Sequence, residues 1–133
     1  MEVQNIRIDL ISPSPLNPRK TFDVAALEEL ASNIEKQGLL QPITVRVAKS
    51  EEVTNLETGD VTPLPYSYEI VCGERRFRAI SLLKAKEDEE NIAKIKAHRK
   101  KSESFQTISC IVREMTDDEA FDAMITENLQ RKD

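Results

Sequence analysis

Apolar residues recur along the chain with two different periods, and each change of period marks an element. Ile6, Ile8 and Leu10 alternate with polar positions, as do Ile43, Val45 and Val47, and again Ile108, Cys110 and Val112. A period of two predicts half-buried strands over 6–10, 43–47 and 108–113. Tyr68 to Cys72 is a further strand. Elsewhere the apolar positions fall three and four apart, the spacing of a helix face. Val24, Leu27, Leu30, Ala31 and Ile34 make the first such face, with Asp23 as N-cap and Gly38 as a left-handed stop. Phe77, Ala79, Ile80 and Leu83 make the second, in a helix that begins at about Glu74, directly after Gly73. Ala120, Phe121, Met124, Ile125 and Leu129 make the third, opened by the capping box Thr116-Asp117-Asp118-Glu119. The predicted order is β-α-β-β-α-β-α. It describes a small α+β domain with a mixed sheet of about four strands and three main helices.

The connections carry their own signals. Ser12 to Arg19 contains Pro13, Pro15 and Pro18, a density that forbids helix and sheet ladder and predicts an extended, stiffened loop. Residues 49–66 are polar and contain Gly59, Pro63 and Pro65, which predicts a long connection or a protruding hairpin outside the core. From Lys86 to Lys101 the large apolar residues are Ile92 and Ile95 alone, so this stretch is expected to be a solvated extension of the second helix held by opposite-charge pairs.

Composition narrows the class. The 133 residues, 39% of them hydrophobic, suffice for one domain over 1–133 and not comfortably for two. No apolar run approaches the roughly 18 residues of a membrane span, and Met1 to Asn5 lacks the regions of a signal peptide. A cytoplasmic protein without a membrane partner is expected. Cys72 and Cys110 lie in strand-like runs, there is no CxxC pair and there is one His, so two reduced buried thiols are expected and a zinc site is not. The net charge of −5 argues against a strong grip on DNA by these residues alone. The cations nevertheless cluster, at Arg75, Arg76 and Arg78 and at His98 to Lys101.

The sharpest chemical signal is Cys72-Gly73-Glu74-Arg75-Arg76-Phe77-Arg78-Ala79. A helix N-terminus exposes unpaired N–H groups and partial positive charge, so arginines there are unfavourable unless an anion joins them. Gly73 allows close backbone approach, the amides donate to phosphate oxygens and the guanidiniums clamp them. Glu74 fits beside phosphate if it faces a metal ion or a water. The competing reading is a solvated basic turn paired with local acids. GxxxxGK[ST] and GxGxxG are both absent. A second signal is Thr126-Glu127-Asn128-Leu129-Gln130-Arg131, where Glu127 and Asn128 offer hard oxygens suited to Mg²⁺ and Arg131 stands one turn beyond Glu127. Taken alone it also reads as an exposed polar helix end. Gly38-Leu39-Leu40-Gln41-Pro42-Ile43 is explained by a helix stop, a turn and a strand, with ligand contact by Gln41 as the alternative.

Together these segments resemble the ParB/RepB/Spo0J family of chromosome and plasmid partition proteins, over nearly the whole span from Ile6 to Arg131. The elements that carry the likeness are Pro15-Leu16-Asn17-Pro18-Arg19, the Gly38–Ile43 segment, Gly73-Glu74-Arg75-Arg76-Phe77-Arg78-Ala79 and Glu127-Asn128-Leu129-Gln130-Arg131, in the family's order. The resemblance implies a domain that binds CTP with Mg²⁺, in many members with slow hydrolysis, as a switch that closes a dimer around DNA. It implies nucleotide contacts from Arg19, Gln41, Pro42, Gly73, Glu74, Arg75, Arg76 and Asn128. It implies metal contacts from Glu127 and Asn128, and water orientation by Glu74 or Glu127. The implied partners are DNA, a second copy of the chain and a partition ATPase, at the nucleoid or on a plasmid.

Some features depart from the family pattern. Segments 49–66 and 86–107 are longer than its usual connections, and Pro13 stands where relatives often carry a polar residue. The helix-turn-helix and dimerisation regions that would follow are not among the 133 residues, so the resemblance assigns partitioning to a longer parent protein. The alternatives are a DNA- or protein-binding module with a vestigial nucleotide site, suggested by His98-Arg99-Lys100-Lys101, and a small-molecule kinase on the same fold. Sulfiredoxin-like enzymes also share the fold but place a Cys where this chain has Glu74, which argues against redox repair. No cluster of acids or histidines supports the nuclease label sometimes attached to the family.

Overall fold

The computed structural model describes residues 3–48, 52–63 and 67–130. Among the described residues seven strands form: β1 (Val3–Arg7), β2 (Ile11–Ser12), β3 (Ile43–Val47), β4 (Glu52–Thr54), β5 (Val61–Pro63), β6 (Tyr68–Cys72) and β7 (Thr107–Val112). The helices are α1 (Val24–Gln37), α2 (Glu74–Lys96) and α3 (Asp117–Gln130). Five strands make one sheet in the order β1-β7-β3-β6-β2, and β4 and β5 pair as a separate hairpin. β1 is antiparallel to β7 and β3 to β6, whereas β3–β7 and β2–β6 are parallel. The α+β class and the three helices are as expected, and the mixed sheet has five strands rather than four.

The extra strand comes from the stretch expected to be one strand over 6–10. There Ile8–Leu10 is a 3-10 turn, and the chain crosses from one sheet edge at β1 to the opposite edge at β2. The buried residues are Ile6, Ile8 and Ile11. The last interval is three, which suits a 3-10 turn, where side chains i and i+3 stack. Leu10 therefore imitates an alternation that the backbone does not follow.

Successive side chains of β6 point to opposite faces and serve two cores. Ile70 joins the main core with Ile6, Ile43, Val45, Phe77, Ile80, Leu83 and Ile108, beneath α1 and α2. Val71 joins a smaller cluster with Ala120 and Met124 beneath α3. α1 and α2 thus cover one face and α3 the other. Asp23 caps α1 by accepting from the Ala25 N–H (3.0 Å). Gly38 ends it at φ +80 and ψ 172, an extended glycine conformation rather than the left-handed helical one expected. The Thr116–Glu119 capping box forms in both directions, at 3.0 and 3.2 Å.

Three positions expected on the buried helix faces lie in solvent instead, as does Val47 at the end of β3. Val24 is 65% exposed, Phe121 40% and Leu129 79%. Val24 is the first residue of α1, and α3 meets only a narrow apolar strip on β6, so neither helix buries its full face. The α2 extension is also less solvated than expected. Glu87 and Asn91 are buried and bind the loop that follows the helix. The Glu87 carboxylate accepts from Ser102 Oγ, the Ser104 and Phe105 amides and Gln106 Nε2. Asn91 pairs twice with the Ser102 backbone. Opposite-charge pairs do not hold this stretch as expected: among the described residues none has both members within 86–101, and only Lys84–Asp88 (2.6 Å) and Lys86–Glu35 (3.6 Å) reach its start. Within 49–66 the described part is a protruding hairpin, as anticipated, with Leu56 96% exposed.

Candidate functional site

β6 ends at Cys72 and α2 starts at Glu74, so a single residue must make the strand-to-helix turn. Gly73 does so at φ +95, and a Cβ built there would lie 2.6 Å from Cγ2 of Ile43, which is fully buried. Only glycine fits, for conformation and for space. Gly73 has no side chain to cap α2, and the amides of Glu74, Arg75 and Arg76 find no acceptor among the described residues. The helix therefore opens with unsatisfied N–H groups. The Gly73 N–H itself points to the Glu127 carboxylate, at 3.1 and 3.3 Å. A carboxylate from α3 already takes one donor of this anion seat.

The three arginines divide the work. Arg76 Nη1 donates to the Gln41 and Pro42 carbonyls, each at 3.1 Å, and so fixes the turn that leads from Gly38 into β3. Arg78 Nε donates to Glu74 Oε2 at 2.7 Å, and its guanidinium lies over the Phe22 ring, 4.2 Å from the centroid. Arg19 lies over the same ring at 5.1 Å. Arg75 is half-buried and makes no hydrogen bond or ion pair among the described residues. It lines a hollow of about 240 Å³ with Arg19, Phe22, Asp23, Ala26 and Leu27. Arg19 and Asn128 line an adjoining open cleft of about 510 Å³. Gln41 and Arg76 line a third hollow, of about 240 Å³, against Leu30, Leu39 and Leu40.

Glu74 is turned inward and 6% exposed. One oxygen accepts from Arg78 and the other from Asn17 Nδ2 (3.1 Å), so this acid ties the proline-rich loop to α2. The loop is also shaped from within. Asn17 Oδ1 accepts from the Arg19 N–H (3.0 Å), and Ser14 Oγ accepts from the Leu16 N–H (3.1 Å). Ser14 in turn donates to Glu69 at 2.6 Å. Glu69 accepts from Arg46 (2.9 Å), whose other contacts are Asp117 (2.8 Å) and the Met115 carbonyl (3.2 Å). Burial works against the Arg46 charge, but its bonds to Glu69 and Asp117 prevail and raise its pKa. This chain of contacts runs from the loop through the sheet to the root of α3.

Around the start of α2 the structure brings Gly73 to Glu127, Arg75 to Arg19 and Arg76 to Gln41, with Asn128 beside Arg19 in the open cleft; the hollow of Gln41 and Arg76 is separate from the other two. Pro42 enters through its carbonyl, Glu74 faces the interior, and Arg131 lies outside the described residues. Sequence reasoning missed Asn17, Phe22, Glu69 and Arg46 as supports. Phe22 stands between two arginine-bearing segments, and Glu69 is an acid inside an apolar strand, which are the available signals. Cys110 is buried and its thiol is pushed up to about 11 by that burial. Cys72 is also raised, by burial first and by Glu127 second, which suits structural thiols rather than nucleophiles. Glu127 and Asn128 supply hard oxygens, and no group of three or more His, Cys, Asp or Glu among the described residues could cage a metal. Such a set fits Mg²⁺ arriving with phosphate oxygens and water, not a resident ion.

Comparison with known proteins places this geometry. The family model described as the ParB N-terminal domain matches residues 1–129. A probable chromosome-partitioning protein ParB from Coxiella burnetii is 33% identical over 98% of this chain and 33% of its own length. A nucleoid occlusion protein from Oceanobacillus iheyensis is 31% identical over 99% of this chain and 34% of its own length. The chain therefore spans about a third of these relatives. Among solved structures, C-terminally truncated ParB from Caulobacter crescentus complexed with CTP-gamma-S is 29% identical, with a TM-score of 0.62 over 100% of this chain and 56% of that one. The same protein complexed to the centromeric parS site gives 28% identity and 0.60 over 98% of this chain and 49% of that one. Sulfiredoxin from Arabidopsis thaliana, at 18% identity and 0.51 over 93% of this chain and 98% of that one, shares the fold. By family model, sequence and fold, this chain belongs to the ParB N-terminal domain family.

Proposed function

We propose that this domain is the nucleotide switch of a DNA-partition protein, binding CTP with Mg²⁺ at the start of α2 and so controlling closure of a dimeric clamp on DNA in chromosome or plasmid segregation. The observation that carries the reading is the uncapped N-terminus after Gly73, where the free amides of Glu74, Arg75 and Arg76 meet a guanidinium, Arg75, without an internal partner. A helix start of this kind favours phosphate. The Caulobacter relative complexed with CTP-gamma-S supports the same ligand class. The relative complexed to parS supports DNA as the partner.

In this reading Arg75 and Arg19 clamp phosphate oxygens, and Gly73 lets the backbone approach them. Arg76 holds the Gln41–Pro42 wall through its two carbonyl bonds. Glu74 positions the loop that carries Arg19. Glu127 competes with phosphate for the Gly73 N–H, because two anions repel across one donor. Phosphate binding therefore releases the end of α3, which packs through the small cluster around Val71, Ala120 and Met124 while Arg46 holds its root. Mg²⁺, when bound with the phosphates, would be held by oxygens of Glu127 and Asn128 and would supply neutralisation of phosphate charge.

Calorimetric titration with the four nucleoside triphosphates, with and without Mg²⁺, tests the proposal. CTP with Mg²⁺ is expected to bind best. Arg75→Ala is expected to weaken it about 10- to 100-fold, the worth of one charge-assisted hydrogen bond, without lowering the melting temperature. Absence of heat with all four nucleotides would overturn the reading.

A further inference from the structure

We propose that the C-terminal end of α2 and the turn after it form a separate, nucleotide-independent contact for the phosphate backbone of duplex DNA. Residues 94–101 hold five of the chain's 19 Lys and Arg residues and none of its 24 Asp and Glu. Lys96, Arg99, Lys100 and Lys101 are exposed and Lys94 is partly so. Among the described residues none of the five is in an ion pair, whereas Lys84 and Lys86 of the same helix both are.

The helix end does not by itself account for so much charge. Three of its last four carbonyls are already satisfied. The Ala97, His98 and Arg99 amides donate to Ala93, Ile95 and Lys94. The remaining dipole, roughly half a charge, is balanced by one or two cations. The turn is also built with care. His98 takes φ +56, an uncommon conformation for a residue with a side chain. Glu87 and Asn91, both buried, hold the loop immediately after Lys101 through Ser102 to Gln106. The negative charge of Glu87 is directed inward at that loop; Asp88 and Glu103 line the same hollow as Lys101, yet neither pairs with a cation of the cluster among the described residues. Exposed cations carried on an anchored turn can meet neighbouring phosphates, and the counterions released favour the contact. Duplex DNA is the polyanion chosen because the relatives are named for chromosome partitioning and nucleoid occlusion. That choice rests on the family reading and is independent of nucleotide binding.

The test is fluorescence anisotropy of a labelled random-sequence duplex with the 133-residue chain, without nucleotide. If three cations reach phosphates, affinity falls about 40-fold between 50 and 200 mM salt, from a logarithmic slope of about −2.7. The combined variant Arg99→Gln, Lys100→Gln, Lys101→Gln is expected to lose that binding while its melting temperature and CTP affinity stay unchanged, which separates this proposal from the nucleotide site. No binding at 50 mM salt, an unaltered slope in the variant, or tighter binding to phosphatidylglycerol vesicles than to the duplex would each overturn it.

Discussion

Gly73→Ala is the most informative single change in the molecule, because two independent costs meet at one atom. The first is conformational. At φ +95 a Cβ crowds its own backbone, a penalty of about 1–2 kcal/mol. The second is steric. The new methyl would sit 2.6 Å from Ile43 Cγ2 and 3.1 Å from Arg76 Nη2. Ile43 is fully buried and cannot give way without disturbing the core, which adds about 1–3 kcal/mol. The expected loss is therefore about 2–5 kcal/mol. Gly59→Ala is the control, since Gly59 has φ +76 and nothing within 4 Å of its Cβ position, and it suffers only the first cost. In equilibrium urea denaturation with an m value of about 1.5 kcal/mol/M, the midpoint should fall by about 1–3 M for Gly73→Ala and by about 1 M for Gly59→Ala. Adding Ile43→Ala should make the pair less damaging than the sum of the single changes, because it removes the atom struck. Equal midpoints for the two glycine variants, or strict additivity with Ile43→Ala, would refute the close-approach argument.

Other outcomes follow from the same geometry. Burial alone would raise the pKa of Glu87, but its bonds from Gln106, Phe105, Ser102 and Ser104 lower it overall. Its contribution is thus complete above the usual carboxylate range and lost as pH falls through the lower folded value; a urea midpoint measured from pH 7 to pH 3 should show a smaller acid-linked drop in Glu87→Gln than in the unaltered chain. Arg46→Met strands the Glu69 charge and frees the root of α3, and thermal or urea unfolding should report a loss of about 3 kcal/mol. His98→Gly relieves a positive φ and should raise stability by about 0.5–1 kcal/mol in the same assay.

The parts of the fold legible in the sequence are those where local and tertiary preferences agree. Asp23, the Thr116–Glu119 box and the Phe77–Leu83 face announced α1, α3 and α2 because each reflects hydrogen bonding or burial within one or two turns. The crossing at Ile8–Leu10 was hidden, since an i to i+3 step between Ile8 and Ile11 overlaps an i to i+2 step to Leu10. Glu87 and Asn91 looked solvated because the groups that satisfy them lie 11 to 19 residues away, beyond any local pattern. At the site, Gly73 and the arginines stood out through their charge at a helix start. Their separate tasks did not, because Arg76 is committed by carbonyls of Gln41 and Pro42 and Arg78 by Phe22, contacts that only the folded chain makes. Glu127 reading the Gly73 amide is a contact across 54 residues and could not be inferred from spacing.

The start of α2 is where the account stands or falls, and backbone amide NMR reads it directly. Titration of CTP with Mg²⁺ into the labelled domain is predicted to shift the Gly73, Glu74, Arg75 and Arg76 amides most, with Glu127 and Asn128 following as the carboxylate leaves Gly73. Saturable binding whose shifts fall elsewhere and leave those four amides unmoved would contradict a phosphate seat at that helix start.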